Sequence, residues 1–288
     1  MGRDLYQSCP AARQIFDQAD DILGFKLSKL CFEGPLEELT YTQNVQPAVL
    51  ATSIACLQAA RQESELPPAQ FTAGHSLGEY TALVVSGALD FAEALKLVIL
   101  RSNLMESSAA SNPGGMLALI GAGEDLAREV CKACGFEISN INSPQQTVIS
   151  GPAHFTRKAA EAAASLGVRK VIPLKVSGAF HSRLMQSAAD GLKRALSNTA
   201  IKPAAIPVVA NASASPVSGV EEIRGELEIQ LTRPVLWQQS VEFMCRQGID
   251  TFIEFGPGNV LTGLIKRICP VARLFNVSDN DNLKQEWS

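Results

Sequence analysis

Short β-rich runs alternate with helical runs along most of the chain, and this alternation constrains the fold more than any other feature. Apolar β-prone runs predict strands over 70–74, 115–120, 136–141, 146–150, 168–175, 206–210 and 250–255. Between and around them, helical periodicity predicts helices over 47–62, 78–86, 90–108, 124–134, 154–166, 183–198, 220–231, 236–247 and 258–268. Such alternation specifies an α/β fold with a mostly parallel sheet covered by helices. The first 45 residues read as helix and loop without an opening strand. One stretch departs from the pattern. Asn112-Pro113-Gly114-Gly115 punctuates the chain. From there to about Val176 the order is strand, helix, strand, strand, helix, strand, which is the split βαβ, ferredoxin-like unit. The reading is a small domain at 113–176 inserted into a large α/β domain made of 1–112 and 177–288.

With 288 residues, 46% of them apolar and 19% charged, the chain is long and apolar enough for a sizeable core. A net charge of −4 argues against nucleic-acid binding by bulk charge. A local basic patch for an acidic partner stays open. Lys266 and Arg267 are candidates for one, although a solvated helix face accounts for them equally well. No apolar run reaches the ~18 residues of a membrane span, and the N-terminus has no apolar signal core. Seven cysteines, an odd number, point to a reduced intracellular setting. The location is then cytoplasmic in a bacterium, with an organelle open in a eukaryote. Cys131 and Cys134 form a C-x-x-C without a second pair or a nearby histidine, so plain helix is favoured over redox or metal chemistry.

Gly74-His75-Ser76-Leu77-Gly78-Glu79-Tyr80 contains G-x-S-x-G. Chance alone gives about 0.1 such matches in a chain of this length and average composition. The context adds weight, because an apolar run precedes the motif and a helical run follows it. That is the strand–elbow–helix setting in which a serine sits on a strained turn with its hydroxyl exposed. Gly74 and Gly78 are expected where a Cβ would clash in the tight turn. The N–H of Leu77, at the start of the following helix, is the expected oxyanion donor. A Gly-rich turn without chemistry is the alternative.

A serine hydroxyl needs a base, and the chain has only three histidines. His75 adjoins Ser76, and neighbours on an elbow diverge, so it reads as structural. His154 reads as a surface residue. His181 lies in Gly178-Ala179-Phe180-His181-Ser182, at the end of a predicted strand, and is the favoured base. Arg101 falls on the flank of the apolar stripe Phe91, Leu95, Val98 and Met105 in a helix opened by an Asp90-x-x-Glu93 capping box. From the helix alone, its guanidinium either snorkels to water or clamps a substrate carboxylate.

The elbow motif, the Arg101 segment, the Phe180-His181 segment and Phe255-Gly256-Pro257-Gly258 together resemble the malonyl-CoA:acyl carrier protein transacylase family, over nearly the whole chain. The acyltransferase domains of fatty acid and polyketide synthases are similar. The resemblance implies an α/β-hydrolase-like large domain with a ferredoxin-like insertion. It implies Ser76 as nucleophile, His181 as base, and Arg101 as partner of the malonyl carboxylate. Gln230, in Gln230-Leu231-Thr232-Arg233-Pro234-Val235, matches the residue whose main-chain carbonyl orients the histidine. Phe180 matches the malonyl-type form of the motif and is a substrate-binding candidate. The implied substrate is malonyl-CoA and the implied partner is acyl carrier protein, with no metal or redox cofactor. A serine esterase or thioesterase on a similar scaffold is the competing reading.

The likeness departs at one place. Family members open with an apolar strand and a Gly-Gln-Gly-Ser-Gln loop, and this sequence begins after them. The expectation is a sheet short of an interior strand, with unpaired backbone and a gap in the core. Leu77 is then the remaining oxyanion donor, a loss comparable to ~10²–10³ in rate. A catalytically impaired, N-terminally truncated form is the third reading.

Overall fold

The computed structural model describes residues 1–283, 285 and 287. The described strands are β1 (Thr72–Ala73), β2 (Gly114–Ile120), β3 (Glu137–Ser143), β4 (Gln146–Pro152), β5 (Lys170–Pro173), β6 (Val208–Val209), β7 (Pro216–Val217), β8 (Thr251–Phe255) and β9 (Arg273–Val277). They form three sheets, in the orders β3-β4-β2-β5, β1-β6-β7 and β8-β9.

The first of these is antiparallel throughout, and its strand order is that of a ferredoxin-like unit. Its pleat explains its two faces. Leu117 and Leu119 of β2 point toward the helices Glu124–Cys134 and Thr156–Ser165, where they meet Val130, Phe136, Ile149 and Ala163. Met116 and Ala118, one residue out of step, point the other way and join Val148 and Phe180. Both faces are thus apolar, one for the small domain's own helices and one for the rest of the molecule.

The large domain is organised by helices. The helix Thr42–Glu63 is buried around most of its circumference, with Ala48, Ala51, Ala55 and Ala59 fully enclosed. A helix buried on nearly all sides belongs inside a core. It packs against Pro10–Leu23 and Phe91–Ser111. The large-domain sheet is in two pieces. β1 pairs parallel with β6, and β8 pairs parallel with β9. A cleft of about 1520 Å³ lies between these pieces, lined by Phe71 and Ala73 on one side, Ile253 and Phe255 on the other, and Trp237 and Leu264. Among the described residues, no strand pairs with the cleft-facing edge of β1 or β8.

Two short strands, β7 and β9, escape the periodicity argument. The capping box expected at Asp90 does not form. Asp90 makes no side-chain cap bond, and its carboxylate instead accepts from Lys202 Nζ at 3.0 and 3.1 Å.

The junction between small and large domains is bonded as well as packed. The N–H of Ile141 donates to the Val235 carbonyl at 2.9 Å, and the Val235 N–H donates to the Ser139 carbonyl at 2.9 Å. Ser139 Oγ donates to the carbonyl of Phe180 at 2.9 Å. The edge strand β3 is therefore tied to two segments that build the site described next. All seven cysteines are free thiols. Among the described residues, no helix is long and apolar enough to cross a membrane, and no His/Cys/Asp/Glu cluster could hold a metal ion.

Candidate active site

The end of β1 delivers the chain into a tight elbow, and the helix Gly78–Val85 leads away from it. Ser76 sits at the turn with φ +50°, in the left-handed region that costs an L residue about 1–3 kcal/mol. Gly74 makes the turn possible, because a Cβ there would lie 2.0 Å from the Gly78 carbonyl oxygen. The same is not true of Gly78. A Cβ there would meet nothing within 4 Å, so the expected clash at this position is absent and Gly78 borders the open cleft. Asn211, just past β6, braces the elbow. Its Oδ1 accepts from the Ser76 N–H at 2.6 Å and its Nδ2 donates to the Gly74 carbonyl at 2.7 Å.

His181 reaches this serine from the loop after β5, also with a left-handed backbone, φ +56°. The Ser76 hydroxyl and His181 Nε2 are 2.8 Å apart. His181 Nδ1 lies 2.9 Å from the main-chain carbonyl of Gln230. A carbonyl only accepts, so Nδ1 carries the proton and Nε2 is left to receive one from the serine. Burial pushes the His181 pKa down to about 3, with the charge of Arg101 as the second cause. The imidazole is therefore neutral at physiological pH and able to act as a base.

The Arg101 side chain does not snorkel to water. It is 1% exposed and points inward. Its Nη1 donates to Gln46 Oε1, and its Nη2 donates to Gln230 Oε1 at 3.1 Å and to Ser76 Oγ at 3.0 Å. The face of Tyr80 lies 5.6 Å from the guanidinium carbon. Among the described residues, no carboxylate makes an ion pair with Arg101, and its Nε has no acceptor. A buried cation held only by neutral groups is costly and calls for an anion. The serine hydroxyl is 3.0 Å from it.

The structure thus brings Ser76, His181, Arg101 and Gln230 together. Leu77 adjoins them, and among the described residues its N–H donates to no protein acceptor. Phe180 is half-buried next to His181, between the main core and the Met116 cluster. The two other histidines stand apart. His75 Nε2 is 2.8 Å from Asn142 Oδ1 on β3, and His154 is exposed against Phe155. Lys266 and Arg267 are exposed on the helix Val260–Ile268.

Three members of the site escape sequence reasoning, namely Gln46, Asn211 and Glu79. Glu79 is 2% exposed, and burial pushes its pKa up to about 7. A glutamine directly before Pro47 and the apolar run Ala48-Val49-Leu50-Ala51 is the one signal that could single out Gln46. Chemically, the assembly offers a hydroxyl with a neutral base, a free N–H at a helix start, and a cation placed to hold an anionic acyl group.

The acyl transferase domain family matches residues 1–272. The chain is 42% identical to the malonyl CoA-acyl carrier protein transacylase of Bacillus subtilis (strain 168), over 99% of this chain and 90% of that protein. It is 39% identical to the malonyl CoA-acyl carrier protein transacylase of Escherichia coli (strain K12), over 92% of this chain and 87% of that one. The solved acyl-carrier-protein-S-malonyltransferase of Bartonella henselae superposes with a TM-score of 0.95 at 37% identity, covering 99% of this chain and 92% of that chain. A malonyl-transacylase solved in complex with a type II polyketide acyl-carrier protein superposes with a TM-score of 0.94 at 38% identity, covering 98% and 93%. With an elbow serine, a neutral histidine and a buried arginine converging on one point, the chain belongs to the acyl transferase domain family.

Proposed function

We propose that the chain transfers a malonyl group from malonyl-CoA to the phosphopantetheine thiol of acyl carrier protein, in fatty acid or polyketide biosynthesis. One observation carries this reading: the Arg101 guanidinium, buried and without a carboxylate, lies 3.0 Å from the hydroxyl of Ser76. A malonyl group has a carboxylate for the arginine and, two bonds from it across a methylene, a thioester carbonyl for the serine.

The reaction runs in two balanced halves. His181 Nε2 takes the Ser76 proton as Oγ attacks the thioester carbon. The Leu77 N–H stabilises the oxyanion. The C–S bond breaks, CoA leaves with the proton from His181, and a malonyl ester remains on Ser76. In the second half, His181 takes the proton of the carrier thiol. The thiolate attacks the ester, the C–O bond breaks, and Ser76 regains its proton. Gln230 keeps the imidazole in the required tautomer, and Phe180 borders the acyl pocket. No metal or redox cofactor enters the balance of these steps.

Arg101 has a second effect in this scheme. Its charge lowers the His181 pKa, so a carboxylate seated on it cancels part of that field and makes the imidazole a stronger base when malonyl is present. The partner is acyl carrier protein, as in the solved complex of the related malonyl-transacylase. Lys266 and Arg267 are the proposed receiving residues for its acidic surface. The bacterial relatives support a cytoplasmic location.

The test is incubation with malonyl-CoA, with and without acyl carrier protein, followed by mass spectrometry. A malonyl adduct on the protein and malonyl-carrier as product are expected, and Ser76→Ala removes the adduct. Free malonate as the main product would make the protein a hydrolase, and an adduct persisting on Ser76→Ala would put the nucleophile elsewhere.

A further inference from the structure

Glu79 is a buried acid next to the nucleophile elbow, and the reaction above gives it no task. Its carboxylate does not touch Ser76, His181 or Arg101. It does touch both groups that hold them. Glu79 Oε2 accepts from Gln230 Nε2, and Glu79 Oε1 accepts from the Asn211 N–H at 3.4 Å. At pH 8, above its pKa of about 7, this carboxylate is largely ionised and has no donor. Gln230 must therefore present its NH₂ toward Glu79, which leaves its Oε1 toward Arg101 Nη2 at 3.1 Å. The same NH₂ donates to the Ser76 carbonyl at 3.1 Å. Were the Gln230 amide turned over, its NH₂ would face the guanidinium, donor against donor, and Arg101 would lose an acceptor deep in the core. A buried network of this kind works only when every member is satisfied.

We propose that Glu79 is a positioning residue which locks the Gln230 amide in the one orientation that holds Arg101 beside Ser76, and so sets selectivity for a carboxylate-bearing acyl group. The charge pattern fits this role. The path from Glu79 through Gln230 to Arg101 places an anion and a cation at the two ends of one amide, whose dipole lies along their field. Arg101 is steadied without a direct ion pair, and its remaining hydrogen-bonding capacity stays available to substrate. A carboxylate in direct contact with Arg101 would compete with the malonyl group, and one held at the far side of Gln230 does not.

The inference rests on the malonyl-transfer reading, so the unmodified protein is assayed first with malonyl-CoA and acetyl-CoA at pH 8. Failure to favour malonyl-CoA there counts against the reading itself and not against Glu79. The variant is Glu79→Gln, which keeps the shape but can offer an acceptor to only one of the two donors. The ratio of kcat/KM for malonyl-CoA over acetyl-CoA is expected to fall about tenfold or more, with KM for malonyl-CoA rising more than kcat falls. Glu79→Asp, which keeps the charge but shortens the reach, is expected to show the same pattern. In an Arg101→Ala background, adding Glu79→Gln is expected to change the ratio less than twofold, because the two residues act in series. An unchanged ratio in a folded Glu79→Gln, or an equal loss in the Arg101→Ala background, would overturn the proposal. Failure of both variants to fold, seen as lost thermal unfolding transitions, would assign the carboxylate to stability and overturn it as well.

Discussion

The small and large domains build their sheets in opposite ways. The small one has strands β2, β3 and β4 of seven residues each, joined with β5 in one continuous antiparallel sheet. The large one has strands of two to five residues in two separate pieces flanking a cleft. The regular sheet supplies none of the converging site residues, and the broken one leads through a two-residue strand into the elbow that holds Ser76. In the large domain, order at the site comes from buried helices and from the polar network of Gln46, Glu79, Arg101, Asn211 and Gln230, not from strand pairing.

This contrast can be broken at several points. The largest effect is expected from Gly74→Ala. Its methyl would overlap the Gly78 carbonyl, and more than about 4 kcal/mol of stability should go, measured by chemical denaturation. Survival of that variant would mean that the elbow can relax. Next comes Arg101→Ala, for which kcat/KM with malonyl-CoA should fall by about 10²-fold. The same change removes the positive field on His181, so its pKa should rise from about 3. The acid limb of the pH–rate profile with a neutral acyl ester should then move to higher pH, which a stopped-flow series would show.

A smaller effect should appear in hydrogen exchange. Amides of β1 and β8, which border the cleft, should exchange faster than those of β2 and β4. Equal protection would show that the cleft edges are covered in solution. The smallest effect belongs to Gly78→Ala. With open space where its Cβ would go and a helix beginning there, stability should change by under about 1 kcal/mol, in the stabilising direction. The two glycines of one motif thus divide into one that the turn requires and one that it does not.

Much of this was legible in the sequence, for physical reasons. The elbow and the small domain announce themselves through punctuation, Gly and Pro at fixed places, and through the change from a period of two to one of 3.6. Arg101 was half legible. Its helix shows only that it flanks an apolar stripe, and the decision between water and a buried role depends on the Thr42–Glu63 helix supplying Gln46. Asn211 and Glu79 carry no periodic signal, because a polar residue that braces a site looks like any polar residue at a strand end or in a first helical turn. The cap expected at Asp90 gives way because a longer-range partner, Lys202, takes the carboxylate. The strand β7 is a bare Pro-Val pair, and in β9 Arg273 and Asn276 break the apolar run, so neither registers as a β-rich segment.

The bonds from β3 to Val235, and from Ser139 to the Phe180 carbonyl, couple the small domain to the geometry around His181. They join the small domain to the segments on either side of the imidazole, so any rocking of that domain would drag His181 and the Gln230 carbonyl with it. A displacement of β3 is therefore felt at the imidazole, and the 2.8 Å spacing between His181 and Ser76 depends on the small domain holding its place.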